Sequence, residues 1–178
     1  MATTSTQGAK RAFSLLEVVI ATSIFAAAVT VLLAFLPALA GQAAGSADTL
    51  AALRLPDAIR IELQRVAAAG GLDSLAAQIT PMSSPLPATL SLVASRDTTQ
   101  VQSLGYLPPV ATEQIAPAQQ YYLVEVWRFT AGPPAYDSSG AVLALHVRVS
   151  WPYLTPGTAA ATPLAARERV AFNMALNR

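Results

Sequence analysis

The sequence predicts an α+β chain: a long N-terminal helix, half transmembrane and half amphipathic, packed on an antiparallel β-sheet. Three observations predict it. No charged residue and no proline occurs from Val18 to Leu36. Leu55, Ile59, Leu63 and Val66 then recur at helical spacing. After Pro81 the pattern changes to apolar and polar alternation, poorer in YYLVEVWRF, where Glu125 stands among apolar neighbours.

The apolar run comes first. Nineteen residues at about 1.5 Å each span about 28 Å, close to the roughly 30 Å hydrocarbon core of a bilayer. The alternative is a buried core helix, but such helices seldom stay apolar on every face for so long. Lys10 and Arg11 precede the run, and the next basic residue is Arg54. The positive-inside rule keeps the N-terminus cytoplasmic and exports the bulk of the chain. A net charge of +1 does not suggest a nucleic-acid partner. The absence of cysteine excludes a disulfide framework and a thiolate metal site. A secretory signal is a rival reading, because Ala38-Leu39-Ala40 followed by Gly41 suits a signal peptidase. Against it, the run from Phe13 to Leu36 exceeds an ordinary signal core of about 7–15 residues.

Glu17 is the anomaly inside this run. A carboxylate at the centre of a membrane helix costs roughly 2.5–3.5 kcal/mol, and less near the edge. It could reach water at the interface, although it is short and its neighbours Leu15, Leu16, Val18 and Val19 are apolar. It could instead meet a cation within the membrane. Phe13 and Ala21 occupy the i−4 and i+4 positions, so its own helix supplies none. A cut between Ala12 and Phe13 would create an α-ammonium there, able to pair with Glu17 of a neighbouring subunit.

The stretch RAFSLLEVVIATSIFAAAVTVLLAFL resembles the N-terminal segment of type IV prepilins and type II secretion pseudopilins. The resemblance implies Lys10 and Arg11 as leader charges and Ala12 as the residue before the cut. Phe13 becomes the new, N-methylated terminus, and Glu17 sets the register of assembly. The family more often has Gly where this chain has Ala12. The resemblance also implies the pilin-like layout of helix on sheet.

Beyond the membrane, Gly41 and Gly45 are expected to soften the helix. An amphipathic helix follows over 50–68, with i,i+3 pairs Arg54–Asp57, Asp57–Arg60 and Glu62–Arg65. Pro56 is expected to kink or restart it, Gly70-Gly71 to end it, and LDSLAAQI to form one more short helix. Strands are expected in ATLSLVAS, YYLVEVWRF, AVLALHVRVSW and RVAFNMALN, with one dry and one wet face. Inward residues would include Leu90, Leu92 and Ala94; Leu143, Leu145, Val147, Val149 and Trp151; and Val170, Phe172, Met174 and Leu176. GPPAYDSSG reads as the turn of a 121–151 hairpin. Residues 97–120 are long for a loop, and suggest an extra strand (QVQSLGYL) or a partner-facing excursion. Residues 152–166, rich in Ala, Thr and Pro, read as a mobile connection.

No enzymatic chemistry is legible. His146 is the only histidine and lies on the wet side of its strand. Glu113, Glu125 and Asp137 have no telling spacing. YDSSG offers one carboxylate where calcium wants several, so it reads as a polar turn. Major pseudopilins often carry a calcium loop near the C-terminus, so the resemblance, without that loop, implies a minor rather than a major subunit. Trp127 and Trp151 read as sheet core.

The sequence thus divides into a cytoplasmic leader (1–12), a transmembrane and assembly helix (13–40) and an exported domain (41–178). The expectation is a non-enzymatic minor pilin or pseudopilin of a type II secretion pseudopilus or type IV pilus, without cofactor or metal. Its partners would be prepilin peptidase, other pilin or pseudopilin subunits and the inner-membrane assembly platform. It would sit in the bacterial inner membrane and then in the fibre. The alternatives are an uncleaved single-pass periplasmic binding domain, or a secreted protein cut after Ala40.

Overall fold

The computed structural model describes residues 14–82, 88–104, 114–132, 135–140, 142–155 and 160–178. Lys10, Arg11, Ala12, Phe13 and Glu113 lie outside these residues. The chain forms two compact units, one up to Gly45 and one from Ser46 to Arg178.

Helix α1, Leu15–Ala52, supplies the described part of the first unit and the opening turns of the second. It is long and apolar enough to cross a membrane, and its most apolar window is wholly unburied. This fits a single transmembrane span. Leu15, Leu16, Ile24, Phe25, Leu32 and Phe35 are all exposed, as lipid-facing residues would be. The few hydroxyls in the run bond back to their own helix: Thr22 to the Val18 carbonyl (2.9 Å), Ser23 to Val19 (2.8 Å) and Thr30 to Ala26 (2.8 Å). That hides polar groups that lipid cannot satisfy. Pro37, Gly41 and Gly45 lie within α1 without ending it. The softening expected at the two glycines is therefore not a break.

The break comes later, at Leu53 and Arg54, and α2 runs from Leu55 to Gln78. Pro56 sits in the first turn of α2, where its missing amide proton costs nothing. The expected 50–68 helix is thus the tail of α1 followed by a new helix. Leu55, Ile59, Leu63 and Val66 form the buried face, as their spacing predicts. Gly71 interrupts α2 with φ 82° and ψ 165°, a conformation that a side chain would strain. The turns after it bury Leu72, Leu75 and Ala76, so LDSLAAQI is a second helical piece. Of the three expected i,i+3 pairs, only Glu62–Arg65 (2.6 Å) closes among the described residues.

Five strands follow: β1 Leu90–Ser95, β2 Val101–Leu104, β3 Gln120–Arg128, β4 Val142–Trp151 and β5 Glu168–Asn177. They form one sheet in the order β2-β1-β3-β4-β5, every neighbour antiparallel. The register aligns Leu92, Val124, Val149 and Val170 in one row, and Leu90, Val126, Val147 and Phe172 in the next. These rows face α2 and make the core with Leu55, Ile59 and Leu63. β3 and β4 form the expected hairpin, and β2 lies inside the suggested QVQSLGYL strand, of which 105–107 lie outside the described residues.

Two expectations fail. The far side of the sheet is not simply wet. Val93, Glu125, Trp127 and Ser150 point away from α2 and are buried. Part of the cover is the segment at Ile115, whose amide donates to Gln102 Oε1 (2.9 Å) and whose carbonyl accepts from Gln120 Nε2 (3.1 Å). Trp127 therefore belongs to this outer layer, whereas Trp151 is in the core. The other correction concerns 152–166, read as a mobile connection. Its described residues are tied by a Leu154–Ala161 bridge and by the Thr162 amide donating to the Tyr153 carbonyl (2.9 Å).

The two sheet edges differ. At β2, the Ser103 amide donates to Glu62 Oε1 (3.3 Å), so the helix closes that edge with a buried carboxylate. At β5 the outer edge carries ten residues with no strand beside it among the described residues.

Candidate functional site

Of the residues expected to carry function, Glu17 alone lies within the described part. It stands in the first turn of α1, exposed. Ser14 precedes the helix, and its hydroxyl oxygen accepts the Glu17 amide (3.2 Å) beside the Ser14 carbonyl (3.0 Å). Ser14-Leu15-Leu16-Glu17 is therefore the serine-to-glutamate spacing of a capping box. The sequence reading missed this, although Ser-x-x-Glu before an apolar run is its signal. Glu17 thus has two available jobs: helix capping and charge pairing. With Val18, Ala21, Thr22 and Phe25 it lines a shallow, nearly apolar concavity along the helix.

A second constellation was not foreseen. Asp48, near the end of α1, belongs to the sheet unit. Arg96 donates to both its carboxylate oxygens, Nε to Oδ1 and Nη2 to Oδ2, each at 3.1 Å. The Tyr121 hydroxyl donates to Oδ2 (2.7 Å), and the Tyr122 hydroxyl to the Asp48 main-chain carbonyl (3.0 Å). Arg96 also lies 4.8 Å above the Tyr121 ring. Tyr121, Tyr122 and Trp151 continue the cluster by edge-on ring contacts. No spacing rule links Asp48 to residues 48 or 73 positions away, so only the folded sheet reveals it.

Burial, then the nearby Asp48 charge, push the Tyr122 hydroxyl up to about 12. Burial and the bond to Asp48 raise Tyr121 as well. For an acid raised on folding, the linked stability is full below the unfolded value near 10 and is lost as pH climbs toward the folded one. We expect the domain to lose stability between about pH 10 and 12, and Tyr122→Phe to flatten that decline in an alkaline denaturation series. An equally steep decline in the variant would count against it.

The third constellation lies on the far side of the sheet. Arg148 donates Nε (3.0 Å) and Nη2 (2.8 Å) to Glu125 Oε2 directly across β3 and β4. Its guanidinium lies 4.8 Å over the Trp127 ring. His146 lies beside Trp127, with Nδ1 2.9 Å from Asn173 Oδ1. This explains the poor alternation of β3, where Glu125 is buried because half-buried Arg148 pairs with it across the strands. His146 is half-buried and held by the Asn173 side-chain amide.

Among the described residues no three His, Asp or Glu side chains come together. Asp137 spends its carboxylate on the Ser139 amide (3.0 Å) and hydroxyl (2.7 Å), which hold it below the usual carboxylate range. Comparison with family models, with curated proteins and with solved structures gave no match.

Proposed function

We propose that this chain is a structural subunit of the pilin-like class: a minor pilin or pseudopilin cut between Ala12 and Phe13 and assembled through α1. The observation that carries the reading is the coincidence at one end of the chain. A basic pair, a small residue, Phe13, Ser-Leu-Leu and then Glu17 open an exposed apolar helix, and an α+β domain follows it. A helix so apolar on all sides needs lipid or other helices around it. Packing into a bundle of like helices replaces lipid by protein, and a methylated α-amine at Phe13 would give Glu17 its counter-charge. Leu50, Leu53 and Ile61 remain exposed beyond the membrane-length run, which offers further apolar surface to neighbours. The machine served would be a type II secretion pseudopilus or a type IV pilus, reached through prepilin peptidase and an inner-membrane platform.

Intact mass and the N-terminal residue of protein drawn from membranes, with and without prepilin peptidase, test this. The expected result is a chain starting at methylated Phe13 only when the peptidase is present. A start at Met1 or Ala2 in both would leave an uncleaved anchor, and a start at Gly41 a secreted domain. Ala38–Ala40 lie within α1, whereas a peptidase takes its substrate extended, and this counts against a start at Gly41.

A further inference from the structure

The Asp48 cluster does more than add one ion pair, because of where it sits. Five residues later the chain leaves α1, and the exit is loosely built. Leu53 donates to the Thr49 carbonyl (3.1 Å), Arg54 donates to Ala51 in a tighter turn (3.0 Å), and Pro56 has no amide to continue the ladder. The two sides of this turn are held differently. After it, Leu55, Ile59 and Leu63 are fully buried. Before it, the only apolar anchors are alanines, Ala52 buried and Ala51 partly so. A buried methyl group offers far less than a buried leucine or isoleucine side chain. Beside these alanines the hold on Ser46–Ala52 is polar, and Asp48 alone draws three residues of the sheet unit to it.

We propose that Asp48 is a clasp and Leu53–Arg54 a hinge: opening the clasp releases residues 46–54 while the helix from Leu55 stays on the sheet. Charge-assisted and bidentate bonds are the stronger kind, and Asp48 makes them to Arg96 from the β1–β2 turn and to Tyr121 on β3. Through its carbonyl it also takes the Tyr122 hydroxyl. Three points of the sheet unit thus grip one turn of helix. An asparagine at this position cannot accept from Arg96 at both side-chain atoms, so Asp48→Asn opens the bidentate contact with little change of shape. This inference does not rest on the pilin-like reading.

Amide hydrogen exchange of the full-length protein in detergent, read by mass spectrometry, tests it. In Asp48→Asn, and more strongly in Asp48→Ala, peptides covering 46–54 should exchange at least ten-fold faster. Peptides from 55–70 and from β1 to β5 should keep their wild-type rates. Arg96→Gln, which breaks the same bonds from the other side, should give the same local pattern. Unchanged exchange over 46–54 would overturn the clasp. An equal rise across helix and strands would overturn the hinge, since Asp48 would then be an ordinary part of one cooperative core. If Asp48→Ala does not fold, Asp48→Asn and Arg96→Gln decide between these results.

Discussion

Replacing Arg148 by alanine should lower the unfolding free energy by about 3–5 kcal/mol. The Glu125 side chain is only 9% exposed and Arg148 18%, so the pair is well shielded from water. Removing the guanidinium leaves a carboxylate without its counter-charge and takes the cover from Trp127. The loss should therefore exceed that of Arg65→Ala, whose arginine is 45% exposed. Urea unfolding followed by tryptophan fluorescence provides the measurement. The double variant Glu125→Gln/Arg148→Met should recover most of the stability, because the unpaired charge rather than the lost attraction is the main cost. A loss under about 1 kcal/mol in Arg148→Ala would place the pair among ordinary surface contacts.

If the proposed function holds, Glu17→Gln should still be cut at Ala12–Phe13, yet enter fibres on the order of 100-fold less than wild type. Glutamine can fill the third position of a capping box, so the start of α1 survives. What disappears is the negative charge. On the proposed assembly a neighbour's α-amine would then face low dielectric alone, at a cost of about 3 kcal/mol, and each 1.4 kcal/mol is a factor of ten. Ser14→Ala is the reciprocal variant: it removes the cap at a cost of about 1 kcal/mol and leaves the charge. Fibre incorporation of the three proteins, measured against their processed membrane pools, separates the two jobs of Glu17. Normal assembly of Glu17→Gln, with failure of Ser14→Ala, would reduce Glu17 to a helix cap.

What could be read from the chain beforehand follows from the range of each interaction. Leu55, Ile59, Leu63 and Val66, and the alternating residues of β4 and β5, take their roles from local period, and the structure puts them on the faces that period predicts. Gly71 was legible because its backbone angles suit glycine. The turn at Leu53–Arg54 was not, since Pro56 allowed either a kink or a fresh start. The outer layer was also out of reach. Glu125 looks misplaced in β3 until Arg148 is known to sit opposite it, and sequence spacing does not reveal register. Asp48 gave no signal, because its partners come from a turn and a strand far along the chain. At Glu17 the apolar surroundings drew attention to the charge and away from Ser14, three residues earlier, which was the simpler clue.

The unlike edges of the sheet give it a direction. Among the described residues the Ser103 amide is already given to Glu62, whereas β5 leaves ten residues of edge open. A strand added to this sheet would find its longer template at β5.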